Sequence, residues 1–143
     1  DPHATGTITG ITRGTQKGHL ARATLEAIAM RTKEIISAME KDAKFKFKSL
    51  KVDGGASNNN LLMQIQSNLL GVNVIRPKTT ETTALGAAFF AGLASGFWSS
   101  IEKLSSVWDI DTEFNPIENE ETLSIINNWE KRILKMSNSQ NHE

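Results

Sequence analysis

Apolar residues recur at three- or four-residue multiples between His19 and Lys41, at Ala21, Leu25, Ile28, Ile35 and Met39. That repeat belongs to an α-helix, so the spacing predicts a long helix with this stripe turned inward. Ahead of it, Thr7-Ile8-Thr9-Gly10-Ile11-Thr12 alternates β-branched residues between glycines, as a strand does, and Arg13 to Gly18 reads as a polar turn. Ser49 to Val52 is a short apolar strand, after which Leu61, Leu62, Ile65 and Leu69 mark a helix from Leu61 to Leu70. Ser57 or one of the asparagines can cap its start, and Gly71 suits its end. Val72 to Ile75 then reads as a strand stopped by Pro77.

Thr79 and Thr80 can cap the next helix, where Glu81 sits favourably against the dipole of the first turn. The body of that helix, Ala84 to Leu93, is apolar almost all round, which predicts burial on several sides, with small residues permitting close packing. Ile101 to Asn115 is less regular. A final helix is expected from about Glu118 to Met136, with Ile126, Trp129, Ile133 and Met136 on one stripe, before a polar tail from Ser137 to Glu143 that should fray. Docking on its own domain explains the Trp129 stripe in preference to a contact with another subunit. Strands alternating with helices imply parallel pairing through right-handed crossovers. Ligands of such sheets bind at the carboxyl ends of strands, and Asp53 to Asn59 lies at one.

Composition narrows the class. The 143 residues, 38% hydrophobic and 22% charged, suit one globular domain able to bury a core. Sixteen basic and 16 acidic residues cancel, leaving no overall field to draw in nucleic acid or an anionic membrane. Lys44-Phe45-Lys46-Phe47-Lys48 is accordingly read as one packed aromatic face with solvated lysines, in preference to a base-stacking platform. Without cysteine there are no disulfides, and cytoplasm is the expected location. The apolar run Ala84 to Trp98 is shorter than the roughly 20 residues a membrane span takes. The chain opens Asp1-Pro2-His3 with no initiator methionine and is read as an internal start, with part of a longer protein upstream.

The segment richest in chemistry is Lys51-Val52-Asp53-Gly54-Gly55-Ala56-Ser57-Asn58-Asn59-Asn60. A strand that runs into two glycines and then opens a helix lets the backbone approach a flat ligand closely, since glycine has no Cβ and tolerates positive φ. A phosphate loop of the GxxxxGK[ST] type is missing.

Several motifs carry a family resemblance. Gly6-Thr7-Ile8-Thr9-Gly10-Ile11 followed by His19-Leu20-Ala21-Arg22-Ala23-Thr24-Leu25-Glu26, then Val52-Asp53-Gly54-Gly55, then Arg76-Pro77 with Glu81-Thr82-Thr83-Ala84-Leu85-Gly86-Ala87-Ala88, resembles the C-terminal nucleotide-binding lobe of the FGGY carbohydrate kinases. Gly96-Phe97-Trp98 extends the likeness toward the glycerol kinases within that family. The resemblance implies an α/β domain of the actin-like ATPase (ribonuclease H-like) fold, partial and lacking its N-terminal strands, over residues 1–136 with residues 137–143 as tail. The Thr7 to Thr12 strand would then leave an unpaired edge.

The same resemblance places Gly54, Gly55 and Asn59 against the nucleotide, with Asp53 ordering the turn through hydrogen bonds to nearby amides. Thr82 and Thr83 read as donors at a helix start, and His19 and Arg13 as structural or solvated. It implies ATP-dependent phosphorylation of glycerol to glycerol 3-phosphate with ATP and Mg as cofactors. ADP and glycerol are the other small-molecule partners, glycerol chiefly through the upstream part, and the whole protein would be a dimer or tetramer. No catalytic residue and no metal ligand is assigned to this chain, which by itself should be inactive. The alternatives are another FGGY sugar kinase or a non-catalytic actin-like nucleotide-binding module.

Overall fold

The computed structural model describes residues 6–104 and 108–140, with side chains through residue 133. Helix α1, Lys17–Ala43, is opened by a reciprocal pair in which the Gln16 amide donates to His19 Nδ1 at 3.1 Å, so His19 has a structural role. It ends at Lys44 in the left-handed region, φ 57°. Strand β1, Ser49–Lys51, follows, then a 3₁₀ turn at Gly55–Asn58 and helix α2, Asn60–Leu70. Of the possible caps, Asn59 is the one used: its side chain accepts the Leu62 amide at 3.0 Å. Gly71 closes the helix at φ 69°, as a left-handed C-terminal residue should.

Strand β2, Asn73–Pro77, pairs parallel with β1, and the Val52 amide extends the ladder to the Ile75 carbonyl at 3.0 Å. Helix α3, Thr82–Ala94, and the short α4, Ile101–Leu104, lead to strand β3, Ile110–Phe114, and helix α5, Glu120–Gln140. β3 falls in the stretch expected to be irregular, and it pairs antiparallel with β2. The sheet, in the order β1-β2-β3, is therefore mixed and not wholly parallel. Its strand signal is weak because Ile110 to Phe114 alternates with Asp111 and Glu113 on a half-solvated edge.

The core lies between sheet and helices. Leu62, Met63, Ile65 and Leu69 of α2 meet Val74, Phe114, Ala29 and Met30, with Ile125, Ile126 and Trp129 of α5 packed against them. Ile126 and Trp129 of the final helix's stripe thus dock on their own domain, Trp129 Nε1 donating to Glu34 at 2.7 Å, while the Met136 side chain lies outside those described. Lys33 Nζ reaches the Leu69 carbonyl at 2.9 Å, taking up an orphan acceptor at the end of α2. Buried Ser67 has its hydroxyl 2.8 Å from the Phe114 carbonyl and 2.9 Å from that of Val72.

Three expectations are corrected. The inward stripe of α1 is displaced: Ala29 and Met30 are buried while Ile28, Ile35 and Met39 are exposed, Ile35 at 61%. α1 docks through small Ala29 together with Lys33 and Glu34, polar hooks that an apolar period does not register. Residues 6–12 form no strand; they lie exposed, with Thr9 accepting from Arg132 of α5, because a strand needs a partner ladder and the sheet offers them none. α3 has no buried residue, and Phe90 is 76% exposed. Its apolar surface meets Trp98, whose ring stands edge-on to Phe89 at 5.4 Å between centroids, and it does not reach the core of α1, α2 and β2.

Phe45 and Phe47 pack edge to face on one another, 5.0 Å between centroids, and Lys46 pairs with Glu40 at 2.7 Å. The sequence places the last helix at 118–136, and in the structure it reaches Gln140.

Candidate nucleotide-facing turn

At the carboxyl end of β1 the chain must reverse from strand to helix, and Gly54 makes that possible with φ 76° and ψ 172°. A side chain there would be strained. The Gly54 amide donates to the Thr80 carbonyl at 2.8 Å, and the Thr82 hydroxyl donates to Asp53 Oδ2. Both bonds tie the turn to the start of α3. Asp53 therefore orders the turn through a hydroxyl, where amides were expected, and Thr82 is the donor at a helix start. Thr79 and Thr80 do not cap α3; Glu81 occupies that position without a side-chain bond.

The surface over the turn is open. A Cβ built on Gly54 or on Gly55 meets no atom within 4 Å, and Gly55 and Asn59 are both exposed. The backbone is thus uncovered on this side of the turn. Asn59 has a second employment as the cap of α2.

Beneath the turn the structure is closed and polar. Ser57, 1% exposed, turns its hydroxyl onto the Gly54 carbonyl at 2.7 Å. Arg76 of β2, 9% exposed, spreads its guanidinium over four partners: the Ser57 carbonyl at 2.9 Å, Asn60 Oδ1 at 2.8 Å, Asp111 Oδ2 at 2.8 Å from Nε, and the Thr112 hydroxyl at 3.1 Å. The Thr112 hydroxyl and the Arg76 guanidinium hold the Asp111 carboxyl below its ordinary range. Sequence reasoning placed Arg76 only within a family motif. An arginine two residues after buried Val74, on the same face of β2, was the signal available for its burial.

A cavity of about 270 Å³ opens elsewhere, among Lys33, Glu40, Phe47 and Leu70, at the end of the sheet where β1 and β2 begin. Substrates of parallel sheets gather at the opposite end, so the glycine turn, although shallow, is the better candidate. Among the described residues no three His, Asp or Glu side chains converge as a metal site. Over Gly54 and Gly55 the backbone is open, with room for a flat group to lie against it.

The parallel β1-α2-β2 unit with this turn at its carboxyl end is an α/β arrangement, and the solved structures it matches make the fold that of the actin-like ATPases. A glycerol kinase from Plasmodium falciparum with ADP superposes with TM-score 0.78 at 30% identity, over 90% of this chain and 26% of that one. A xylulose kinase from Lactobacillus acidophilus shares the fold at TM-score 0.74 and 22% identity, over 98% of this chain and 28% of that one.

The C-terminal domain of the FGGY family of carbohydrate kinases matches residues 1–95, and the chain belongs to that family. It is 51% identical over 136 residues to a glycerol kinase of Deinococcus radiodurans, covering 94% of this chain and 27% of that relative. It is 52% identical over 134 residues to one of Nitratidesulfovibrio vulgaris (strain Miyazaki F), covering 93% and 27%. The chain therefore spans about 27% of the length of these relatives.

Proposed function

We propose that this chain is the ATP/ADP-binding C-terminal portion of a glycerol kinase, an enzyme that transfers the γ-phosphoryl group of ATP to a glycerol hydroxyl to give glycerol 3-phosphate and ADP. The observation that carries the proposal is the uncovered Gly54-Gly55 backbone at the carboxyl end of β1, braced from below and open above. Glycines there can lie against an adenosine without a side chain intervening. The identity of about half to glycerol kinases supports glycerol over a pentulose or gluconate as the substrate of the whole protein.

Phosphoryl transfer needs in-line positioning, neutralised phosphate oxygens and a base for the hydroxyl proton. Within this reading Gly54, Gly55 and Asn59 face the nucleotide, Asp53 and Thr82 fix the turn against α3, and the base and glycerol-binding groups lie outside residues 1–143. In the same reading magnesium accompanies the nucleotide phosphates. A cytoplasmic location and a dimeric or tetrameric whole protein belong to the same reading by family resemblance.

The test is ADP release by the full-length protein that carries this chain, supplied with ATP and magnesium and offered glycerol or D-xylulose. Turnover with glycerol in clear preference supports the reading. Preference for the pentulose overturns the substrate assignment, and glycerol phosphorylation by the isolated 143 residues overturns the division of labour.

A further inference from the structure

Resting on the reading of the Gly54 to Asn59 turn as nucleotide-facing, we propose that Arg76 is a positioning residue that sets the height and tilt of that turn, and so controls nucleotide binding without touching the nucleotide. Arg76 sits on the middle strand, and its guanidinium donates upward to the Ser57 carbonyl and to Asn60 Oδ1. Ser57 belongs to the 3₁₀ turn, and its amide and hydroxyl both return to the Gly54 carbonyl, at 3.1 and 2.7 Å. A short chain of bonds therefore runs from β2 through Ser57 to the glycine that faces the ligand. Asn60, the first residue of α2, is gripped by the same guanidinium nitrogen, so turn and helix start move together.

The other edge of the guanidinium is anchored. Nε and Nη2 both reach Asp111 Oδ2, at 2.8 and 2.7 Å, and Nη2 reaches the Thr112 hydroxyl. The group is thereby fixed in its plane by β3 while it holds the turn, a geometry that needs a planar fork. Lysine offers a single donor centre and cannot serve both edges. The alternative role for a buried arginine, that of bridging β2 to β3, requires Asp111 and Thr112 but neither Ser57 nor Asn60.

The experiment compares the full-length kinase with Arg76→Lys, Arg76→Met and Gly55→Ala, measuring kcat, KM for ATP, KM for glycerol and Tm, with rates referred to titrated active sites. Arg76→Lys is expected to raise KM for ATP about tenfold while leaving KM for glycerol within about twofold, since a charge-assisted bond to the turn is lost. A purely structural role would lower Tm and active-site content in the Arg76 variants with no change in KM for ATP, and that result overturns the inference. Gly55→Ala separates the two layers: its Cβ enters open space, so Tm should hold while KM for ATP rises. If KM for ATP stays unchanged in Gly55→Ala, the nucleotide-facing reading falls; if it rises there and not in Arg76→Lys, only the role of Arg76 falls. Should Arg76→Met not fold, Arg76→Lys, which keeps the charge, still decides.

Discussion

Single residues at the turn carry two duties that can be separated by substitution. Asn59 caps α2 through its side-chain oxygen, and it is also exposed on the side where the glycines are bare. Asn59→Ala should destabilise the protein by about 1 kcal/mol, whereas Asn59→Asp, which keeps the accepting oxygen, should retain most of the stability. Chemical denaturation of the two variants checks this. If Asp brings nucleotide binding down while preserving stability, through the lost amide nitrogen or the added carboxylate charge, the side chain's duty to the ligand is separate from its duty to the helix. Gly54 was legible from the sequence because a strand that ends in two glycines before a helix demands a left-handed residue. The burial of Arg76 had one local signal, its place two residues after Val74 on the same face of β2, while its partners Asp111 and Thr112 are remote in the chain.

At the scale of elements, α2 and its two flanking strands were legible in type and nearly in extent: leucines at helical spacing, an asparagine before them and a glycine after them agree at every level. α1 was legible as a helix, but its docking face was not, because Lys33 and Glu34 take part in the packing and leave exposed apolar residues outside it. α3 shows a different limit. Its sequence is that of a buried helix, yet within this chain its apolar side chains meet chiefly Trp98. That contact is close: a Cβ on Gly92 would come within 2.2 Å of the Trp98 ring. Gly92→Ala should therefore displace the half-buried indole, and since alanine favours the helix interior by about 1 kcal/mol the net loss of stability should stay below about 1 kcal/mol. A red shift in Trp98 fluorescence, followed in a variant whose other two tryptophans are phenylalanine, is the expected signature; unchanged emission and stability would argue against the packed glycine.

For the molecule as a whole, four carboxylates among the described residues link stability to pH, one of them Glu102, held below its ordinary range by a hydrogen bond from Ser100. Hydrogen bonds from Thr112 and Arg76 hold Asp111 below the ordinary range, and the Lys46 ammonium and Phe47 amide do the same for Glu40. For Glu34, partial burial raises the pKa, but the hydrogen bonds from Trp129 and Arg31 together outweigh it. Each group has a lower pKa folded than unfolded, so each contributes stability above the unfolded value of about 4 and loses it as pH falls through the folded value. Stability should decline as pH drops below about 4, and Asp111→Asn should flatten that decline while lowering stability at neutral pH. Denaturation midpoints measured from acid to neutral pH test both statements; a slope unchanged by Asp111→Asn would remove Asp111 from the account.

The fold class and the position of the turn were thus readable, because both follow from local periodicity and glycine chemistry. The antiparallel β3 was not, because strand partners are chosen by tertiary contacts that no short window contains. The central claim is that the Gly54 to Asn59 turn meets an adenine nucleotide. Amide hydrogen exchange of the full-length protein, with and without ADP and magnesium, tests it most directly. The account predicts slowed exchange across Asp53 to Leu62 and at the start of α3; slowing confined to the cavity around Lys33 and Phe47, or absent from the turn at saturating nucleotide, would contradict it.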